Sequence, residues 1–549
     1  MNTSPASSAS SQQGLVATAS PAATQAARQV LARGGSSADA AVAAQAVLGL
    51  TEPQASGVGG GTVVVWHDAR DGRSGVIDGL ASAPAEVTER LEHDFSGRRI
   101  PFARIQFGGR TVGVPGTVRA LHALHRRFGR EPWGPLFDEA RRLASEGFAL
   151  PPYLVKTLRE LGPVQDEPLA QAVYGQGARH VQPAGTLVGN PAYAATLAQV
   201  AEHGPDAFYE DGPISAAIVR AVQADVLPGR LSGADLRNYR VVERECLRYR
   251  LGGHEVLGAP PPVFGSLAVG QVLGILQRLG LDASDPGGST QAMHAVCEAG
   301  RLAFADRGGY VGDPDFGPVP VDALLAPAYL AERAGALLRD SHAALEVAPG
   351  CPLPGLDPAS DGSGITSAMT SHLVIVDAQG LTVSMTTTIN SNFGARLSAA
   401  GFFLNNAMTN FARVPQVTGR RPSANAMAPG KRPMTSFSPS IVLGSDGRPE
   451  MVVGAGGGNR IVGFVANAIL RMRSGLRDAQ QVVSAPQILN WSGLTDIEPA
   501  LGQAAHALSE RGHWTMVRRM DGGTQAAIRN GLIWNGGADP RRDGTALGV

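Results

Sequence analysis

The chain has 549 residues, of which 43% are hydrophobic and 17% charged, so it is long enough to bury a large core. Lys+Arg and Asp+Glu are equal at 47 each, and this balance argues against a basic surface that binds nucleic acid or an anionic membrane. The sequence has no run of about 18 apolar residues of the kind that spans a membrane.

The N-terminal residues 1–17 begin with a stretch rich in Ser, Ala and Gln. This stretch has neither the positive region nor the apolar region of a signal peptide, so we expect a disordered tail. The three cysteines, Cys246, Cys297 and Cys351, are far apart and lack the spacing of metal ligands. We therefore expect reduced thiols in a cytoplasmic protein, and no metal or cofactor.

Helical periodicity predominates from about Ser20 to Leu338. It is clearest in AATQAARQVLARGG (22–35) and SSADAAVAAQAVLGL (36–50), where Gly, Ser or Asp stand at capping positions. The segment CPLPGLDPASDGSG (351–364) is then rich in turn formers and poor in apolar residues. Its composition predicts an exposed linker that is accessible to cutting.

The apolar pattern changes to a period of two after this linker. SHLVIVD (371–377) and LTVSMTTTIN (381–390), joined by AQG, predict a hairpin with Thr370 directly before its first strand. Strand pairs and helices are then predicted to alternate, which indicates an α+β layered sandwich. The predicted strand pairs are SIVLGSDGRPEMVVG (440–454) and AAIRNGLIWNGG (526–537), and the predicted helices are RIVGFVANAILRMRSG (460–475) and EPALGQAAHALSERG (498–512).

Nine sequence segments are informative when they are taken together and in order. They are GGSSADAAVAAQAVLGLTEPQASGVGGG (34–61), VGVPGTV (112–118), RLAFADRGGYVGDPDF (301–316), MTSHLVIVDAQG (369–380), TTINSNFG (387–394), LNNAMTNF (404–411), APGKRPMTSFSPSIV (428–442), GAGGGNRI (454–461) and GGTQAA (522–527). Each segment alone is weakly specific, but nine in this order resemble the γ-glutamyltranspeptidase family from about Thr18 to Gly548. The resemblance implies the four-layer αββα fold of N-terminal-nucleophile hydrolases.

The resemblance makes Thr370 the residue that cuts the chain and then acts as its nucleophile. The Thr370 hydroxyl would attack the carbonyl of Met369, and hydrolysis of the resulting ester would leave two chains, about Met1–Met369 and Thr370–Val549. A large segment, 18–369, and a small segment, 370–549, would then share one fold. The new α-amino group, with a reference pKa of about 8, would be the base for its own hydroxyl.

The resemblance also implies supporting roles for residues after Thr370. Thr388 is expected to hydrogen-bond the Thr370 hydroxyl, and Gly457 and Gly458 to offer backbone N–H donors to the oxyanion. A dinucleotide-binding loop is the alternative interpretation of this glycine run, but Asn459 replaces the third glycine of GxGxxG. His372 is a possible base, although a structural role at the start of a strand is the stronger interpretation.

Three positions at the expected substrate site depart from the family. Leu80 stands where the family has an arginine that grips the α-carboxylate of the glutamyl group, and Ala407 replaces a glutamine. Asn410 replaces the aspartate that holds the α-ammonium, and an asparagine cannot form that ion pair. The related cephalosporin (glutaryl) acylases show a similar exchange of aspartate for asparagine. The glutamyl clamp is therefore predicted to be missing.

Other substrate-site residues match the family. Asn390 is retained, and Thr435 and Ser436 keep hydroxyls where the family has two serines. Four arginines in nearby segments are candidates for binding an acidic acyl group, with solvated loop residues as the alternative for each. They are Arg396, Arg413, Arg420 and Arg421.

These residues predict a threonine amidohydrolase or acyltransferase that acts on an amide-like bond of a small-molecule acyl donor. Water or an amine would be the acceptor, the acyl group would be non-glutamyl, and the setting could be secondary metabolism such as antibiotic biosynthesis. One alternative is an ordinary γ-glutamyltransferase or glutathione hydrolase. Another is an uncleaved pseudoenzyme that only binds a metabolite.

Overall fold

The computed structural model of the chain describes residues 9–87, 91–94, 96–101, 104–176, 180–339, 342–344, 346–364 and 369–549. The strands are β1 (Ala9–Ser11), β2 (Gly14–Thr18), β3 (Gly61–Asp68), β4 (Arg73–Gly79), β5 (Phe148–Ala149), β6 (Leu187–Val188), β7 (Val242–Arg244), β8 (Leu247–Leu251), β9 (His254–Gly258), β10 (Ser371–Asp377), β11 (Leu381–Thr388), β12 (Ser398–Ala399), β13 (Phe402–Phe403), β14 (Ser440–Leu443), β15 (Pro449–Gly454), β16 (Ile488–Leu489), β17 (Leu494–Ile497), β18 (Trp514–Val517), β19 (Gln525–Asn530), β20 (Ile533–Ala538) and β21 (Thr545–Gly548).

Helices connect and cover these strands. They are α1 (Pro21–Ala32), α2 (Ser37–Thr51), α3 (Thr117–Phe128), α4 (Asp138–Glu146), α5 (Pro152–Glu160), α6 (Pro168–Tyr174), α7 (Pro191–His203), α8 (Asp206–Tyr209), α9 (Pro213–Gln223), α10 (Gly233–Asn238), α11 (Phe264–Arg278), α12 (Thr290–Tyr310), α13 (Val321–Leu324), α14 (Pro327–Arg339), α15 (Arg460–Arg473), α16 (Ala479–Ser484) and α17 (Ala504–Glu510). Short 3₁₀ turns occupy Gly109–Thr111, Gly134–Phe137, Gly162–Asp166, Ala407–Asn410 and Pro499–Leu501.

Two antiparallel sheets form the centre of the described structure. The strand order is β1-β20-β19-β15-β14-β9-β8 in one and β21-β2-β10-β11-β3-β4-β7 in the other. The sheets pack face to face through β10 and β11 against β15, and through β2 against β19 and β20. Helices α1 and α2 lie on the outer face of one sheet, and α11, α15 and α16 on that of the other. The order of layers is helix, sheet, sheet, helix, as the resemblance implied.

The elements predicted around the hairpin and the early helices are confirmed. α1, α2 and α15 lie in the predicted helical segments, and β10 and β11, β14 and β15, and β19 and β20 are the predicted strand pairs. At the start of α2, the side chain of Ser36 accepts from the backbone N–H of Asp39, and the Asp39 carboxylate accepts from the N–H of Ser36. This reciprocal cap explains why the helix begins at Ser37.

Strands also occur where the sequence predicted mainly helices. β3 and β4 follow α2, and β7, β8 and β9 lie between α10 and α11. β3 reads GTVVVWHD and is buried along its whole length. A strand that is covered on both faces needs no alternation of apolar and polar residues, so the period of two is absent there.

The N-terminal residues differ from the expected disordered tail. β1 pairs with β20, and β2 lies between β10 and β21 in the second sheet. The apolar side chains of Leu15 and Val16 are fully buried, and their burial offsets the entropy lost on ordering the backbone. The boundary predicted at residue 17 is therefore wrong for residues 9–17, while residues 1–8 lie outside the described residues.

The predicted linker is exposed at its start but anchored at its end. Ser360 is buried, and its backbone N–H and hydroxyl both donate to the carbonyl of Arg421. Gly362 donates its N–H to the carbonyl of Gly308 at the end of α12. The prediction of an exposed linker is therefore wrong for Ala359, Ser360 and Gly362, which are buried, whereas Asp361 is exposed as predicted. Small residues at the buried positions let the backbone approach the fold closely.

Within the described ranges, no helix combines the length and apolar character needed to cross a membrane. The same residues contain no group of His, Cys, Asp and Glu suited to holding a metal ion. Cys246, Cys297 and Cys351 are free thiols.

Candidate active site

Thr370 directly precedes β10, a central strand of the second sheet. Because Ser371 pairs with Thr387 across the hairpin, Thr370 lies opposite Thr388 at the hairpin's open end. Thr370 is 3% exposed and Met369 is 5% exposed. The Met369 side chain packs with Ala55 and Tyr153, so the peptide bond between Met369 and Thr370 is held inside the fold.

Thr388 contacts both Thr370 and the preceding residue, Met369. Its hydroxyl donates a 2.6 Å hydrogen bond to the carbonyl oxygen of Met369 and accepts one of 2.8 Å from the N–H of Asn390. The Thr370 hydroxyl donates to Thr388 over a longer 3.4 Å. The shortest hydrogen bond of Thr388 is thus with the carbonyl oxygen of Met369, and this contact polarises that carbonyl.

Buried charges fix the other side of Thr370. Arg542 donates a 2.7 Å hydrogen bond to the carbonyl of Thr370 and lies 3.8 Å from the carboxylate of Glu52. The hydroxyl of Ser371 donates to Glu52. Burial raises the pKa of the Glu52 carboxyl to about 7, although Arg542 and Ser371 act in the opposite direction. The backbone on both sides of the Thr370 nitrogen is therefore held in place.

The glycine run before α15 approaches Thr370 closely. A Cβ at Gly456 would lie 2.1 Å from the carbonyl oxygen of Thr370. Gly457 and Gly458 have φ angles of 126° and 61°, a region that favours glycine. The carbonyls of Gly457 and Gly458 accept hydrogen bonds from N–H groups in the first turn of α15. Because the peptide between the two glycines is planar and trans, the N–H of Gly458 points away from that helix. In the described structure, the N–H groups of Gly457 and Gly458 have no hydrogen-bond acceptor.

A cleft of about 440 Å³, part of it open to solvent, lies beside Thr370. It brings together five more of the predicted site residues: Asn390, Asn410, Thr435, Ser436 and Gly458. The Ser436 hydroxyl donates to the carbonyl of Gly458 over 2.8 Å, which fixes the glycine peptide. The remaining lining residues are Phe264, Arg307, Gly364, Met434, Phe437 and Asn459, so none of the described lining residues carries a carboxylate.

Leu80 and Ala407 do not line this cleft. Leu80 belongs to the main apolar core, and Ala407 packs with a small cluster that contains Ala81, Met408 and Phe411. Their selection as substrate-binding residues is therefore not supported by their positions. Both side chains are apolar, and burial among other apolar groups stabilises them more than exposure in a polar cleft.

The four candidate arginines also lie outside the cleft. Arg396 stacks on the ring of Phe107 at 3.7 Å, Arg413 pairs with Glu92 at 2.9 Å, Arg421 donates to the carbonyl of Asp357, and Arg420 is exposed. The cleft cation is instead Arg307 on α12. The sequence offered one signal for Arg307, because this residue lies in the segment RLAFADRGGYVGDPDF (301–316), which carries the family resemblance.

His372 has the structural role expected of it. It is fully buried, and its ring contacts the hydroxyls of Thr386 at 2.9 Å and Ser384 at 3.4 Å. Burial lowers its pKa to about 3, so the ring stays neutral at physiological pH. Its ring fills the space beside Gly454 in the opposite sheet.

Comparison with known proteins places this site in a family. The family model described as Gamma-glutamyltranspeptidase matches residues 23–549. The "Acylase ACY 1 proenzyme" of Pseudomonas sp. (strain SE83) is 36% identical over 555 residues, which cover 98% of this chain and 94% of that protein. The "Glutathione hydrolase proenzyme" of Pseudomonas aeruginosa is 32% identical over 537 residues, which cover 95% of this chain and 92% of that protein.

A solved structure has the same fold. The crystal structure of cephalosporin acylase from Bacillus halodurans superposes on the chain with a TM-score of 0.86 at 24% identity, covering 100% of this chain and 97% of that chain. Together with the two relatives and the cleft around Thr370, this likeness agrees with the match over residues 23–549. The chain therefore belongs to the γ-glutamyltranspeptidase family of N-terminal-nucleophile hydrolases and acyltransferases.

Proposed function

We propose that the chain cuts itself between Met369 and Thr370. The Thr370 Oγ1 attacks the carbonyl carbon of Met369, the C–N bond breaks, and the nitrogen takes a proton. Water then cleaves the ester, which leaves a carboxyl group on Met369 and restores the Thr370 hydroxyl. The 2.6 Å hydrogen bond from Thr388 to the Met369 oxygen supports this step, because it stabilises negative charge on that oxygen.

We further propose that the cut enzyme transfers a non-glutamyl acyl group from an amide-like bond of a small molecule to water or an amine. Thr370 Oγ1 forms an ester with the acyl group as the amine leaves with a proton, and the acceptor then takes the acyl group from Thr370. The amides of Gly457 and Gly458 are the proposed oxyanion donors.

The observation that carries the non-glutamyl proposal is the charge of the cleft. Its described lining includes Asn410 and Arg307 but no carboxylate. The α-ammonium of a glutamyl group would leave water without gaining an ion pair there, which is unfavourable. An acyl group without that ammonium does not meet this cost.

A panel of anilides tests the proposed specificity. The cut enzyme should hydrolyse glutaryl anilide and simple acyl anilides with a higher kcat/KM than γ-glutamyl anilide, and the Thr370→Ala variant should hydrolyse none. A preference for γ-glutamyl anilide would favour the second candidate, an ordinary glutathione hydrolase. That candidate is supported by the presence of Asn390, Thr435 and Ser436 in the cleft.

The remaining alternative is an uncleaved protein that only binds a metabolite. A single band near 56.7 kDa on a denaturing gel would favour it. The cytoplasmic location and the role in secondary metabolism stay predictions. The three free thiols support the cytoplasmic location, because thiols stay reduced in the cytoplasm.

A further inference from the structure

Arg307 is a buried cation in the cleft whose charge is not balanced by a directly paired carboxylate. It is 7% exposed and lines the same cleft as Thr370. Within the described residues it forms no ion pair with any carboxylate, and its Nε is buried without a hydrogen-bond partner. Burial lowers the pKa of its guanidinium to about 10, with Asp361 acting in the opposite direction. The side chain is still charged at neutral pH.

Its guanidinium group lies beside two aromatic rings. The guanidinium carbon lies 4.9 Å from the centre of the Phe264 ring and 5.0 Å from that of Phe304. Aromatic faces attract cations. A cation held in this way is suited to receiving a planar anion such as a carboxylate, because little side-chain entropy is lost on binding.

Among the described residues, the hydrogen-bond partner of Arg307 comes from the segment that leads to the proposed cut. Arg307 Nη2 donates to the Ser363 hydroxyl, and that hydroxyl donates to Asp361 over 2.8 Å. Gly364, the next residue, lines the cleft. In the uncut chain this segment therefore supplies the oxygen atom beside Arg307, and a substrate oxygen can replace it only if the segment moves.

We propose that Arg307 binds a carboxylate on the acyl group of the donor substrate. The assignment rests on the proposed function, because the residues expected to contact the acyl group, Asn390 and Asn410, line the same cleft. A carboxylate would form the ion pair that Arg307 lacks. The acyl donors assigned in this way are monoamides of dicarboxylic acids, without an α-ammonium.

Two substrates of equal size test this assignment on the cut enzyme. Glutaryl anilide ends in a carboxylate, and glutaramoyl anilide ends in a neutral amide. The unmodified enzyme should favour glutaryl anilide in kcat/KM by roughly 10- to 100-fold, the usual effect of one hydrogen-bonded charge. Arg307→Gln should abolish this preference by lowering kcat/KM for glutaryl anilide while leaving that for glutaramoyl anilide little changed.

Two further variants serve as controls. Arg307→Lys keeps the charge and should keep part of the preference, and Arg420→Gln, at an exposed arginine outside the cleft, should leave both rates unchanged. An equal loss for both substrates in Arg307→Gln would show that Arg307 only supports the fold, and would overturn the assignment. If Arg307→Gln does not fold or cut itself, the deciding measurement is the ratio of kcat/KM values for the two substrates in the unmodified enzyme.

The outcomes separate this assignment from the proposed function. Equal rates for the two substrates in the unmodified enzyme would overturn the role of Arg307 and leave amide hydrolysis by Thr370 intact. Turnover of no acyl anilide by fully cut protein would overturn the proposed function, and the assignment with it.

Discussion

The hydroxyl of Thr388 donates a 2.6 Å hydrogen bond to the carbonyl oxygen of Met369. Met369 precedes Thr370, so in the uncut chain Thr388 binds the carbonyl group that the Thr370 hydroxyl attacks in the proposed cleavage. The hairpin register produces this contact, because it places Thr388 opposite Thr370. The sequence had assigned Thr388 to the Thr370 hydroxyl, which the structure places at the longer distance of 3.4 Å.

Removal of the Thr370 hydroxyl should stop cleavage. Purified protein should yield a fragment whose N-terminal sequence begins Thr-Ser-His, whereas Thr370→Ala should stay intact on a denaturing gel because it has no nucleophile. Thr370→Ser, which keeps a hydroxyl, is the matched control and should still cut. Full processing of the alanine variant in a protease-free preparation would refute self-cleavage.

Removal of the Thr388 hydroxyl should slow cleavage without disturbing the strand. Thr388→Val keeps the branched shape that a strand favours but cannot donate to the Met369 oxygen. Loss of one such donor costs about 100- to 1,000-fold in rate in well-studied enzymes. A time course of fragment appearance measures the effect, with Thr388→Ser as the control that keeps the donor. Equal rates for the valine and native chains would exclude Thr388 from the cleavage step.

The stability of the uncut protein should depend on the protonation of Glu52. Burial raises the pKa of this carboxyl from its usual value of 4.5 to about 7. The folded state therefore binds the Glu52 proton more tightly than the unfolded state does. The resulting contribution to the free energy of unfolding is complete below about pH 4.5 and is lost as the pH rises to about 7. The loss is on the order of 2–4 kcal/mol.

Urea unfolding of Thr370→Ala at pH 5 and pH 8 measures this loss, since that variant keeps the chain in one piece. Glu52→Gln in the same background cannot ionise at this position, so its free energy of unfolding should change less between the two pH values. The same change in both proteins would mean that Glu52 does not titrate near pH 7.

Asn410→Asp should improve the use of γ-glutamyl anilide relative to glutaryl anilide. Asn410 lines the cleft, so a carboxylate there can pair with an α-ammonium. The expected change in the ratio of kcat/KM values is roughly tenfold to a hundredfold. Asn410→Ser, which adds no charge, is the control. Leu80→Arg is not expected to add to this gain, because Leu80 lies in the apolar core and a buried arginine there would destabilise the fold.

Sequence motifs located most of the site because they are local to the elements that build it. Thr370 and Thr388 belong to one hairpin whose alternating pattern is plain, and the special φ angles of Gly457 and Gly458 explain why that run is rich in glycine. These residues could be found without knowing which strands pair across the fold.

The buried charges could not be found in the same way. Glu52 and Arg542 lie near opposite ends of the chain, and Arg307 comes from the last turn of α12. Glu52 and Arg307 lie in segments that carry the family resemblance, but nothing in the local sequence marks these charged residues as part of the site. Only the tertiary fold brings them there. Leu80 is the opposite case. The family resemblance predicted a place for it at the substrate site, but its side chain packs in the apolar core.

The strand order has a consequence for the refolding of the cut protein. β2, β3, β4 and β7 precede Thr370, whereas β10, β11 and β21 follow it, and these strands interleave in one sheet. Neither fragment can complete that sheet, so dissociation requires unfolding, and reassembly becomes a second-order reaction. We therefore expect the uncut chain to refold at a rate that is independent of concentration, and the cut enzyme to recover less fully as it is diluted. Its lifetime would then depend on the barrier to unfolding.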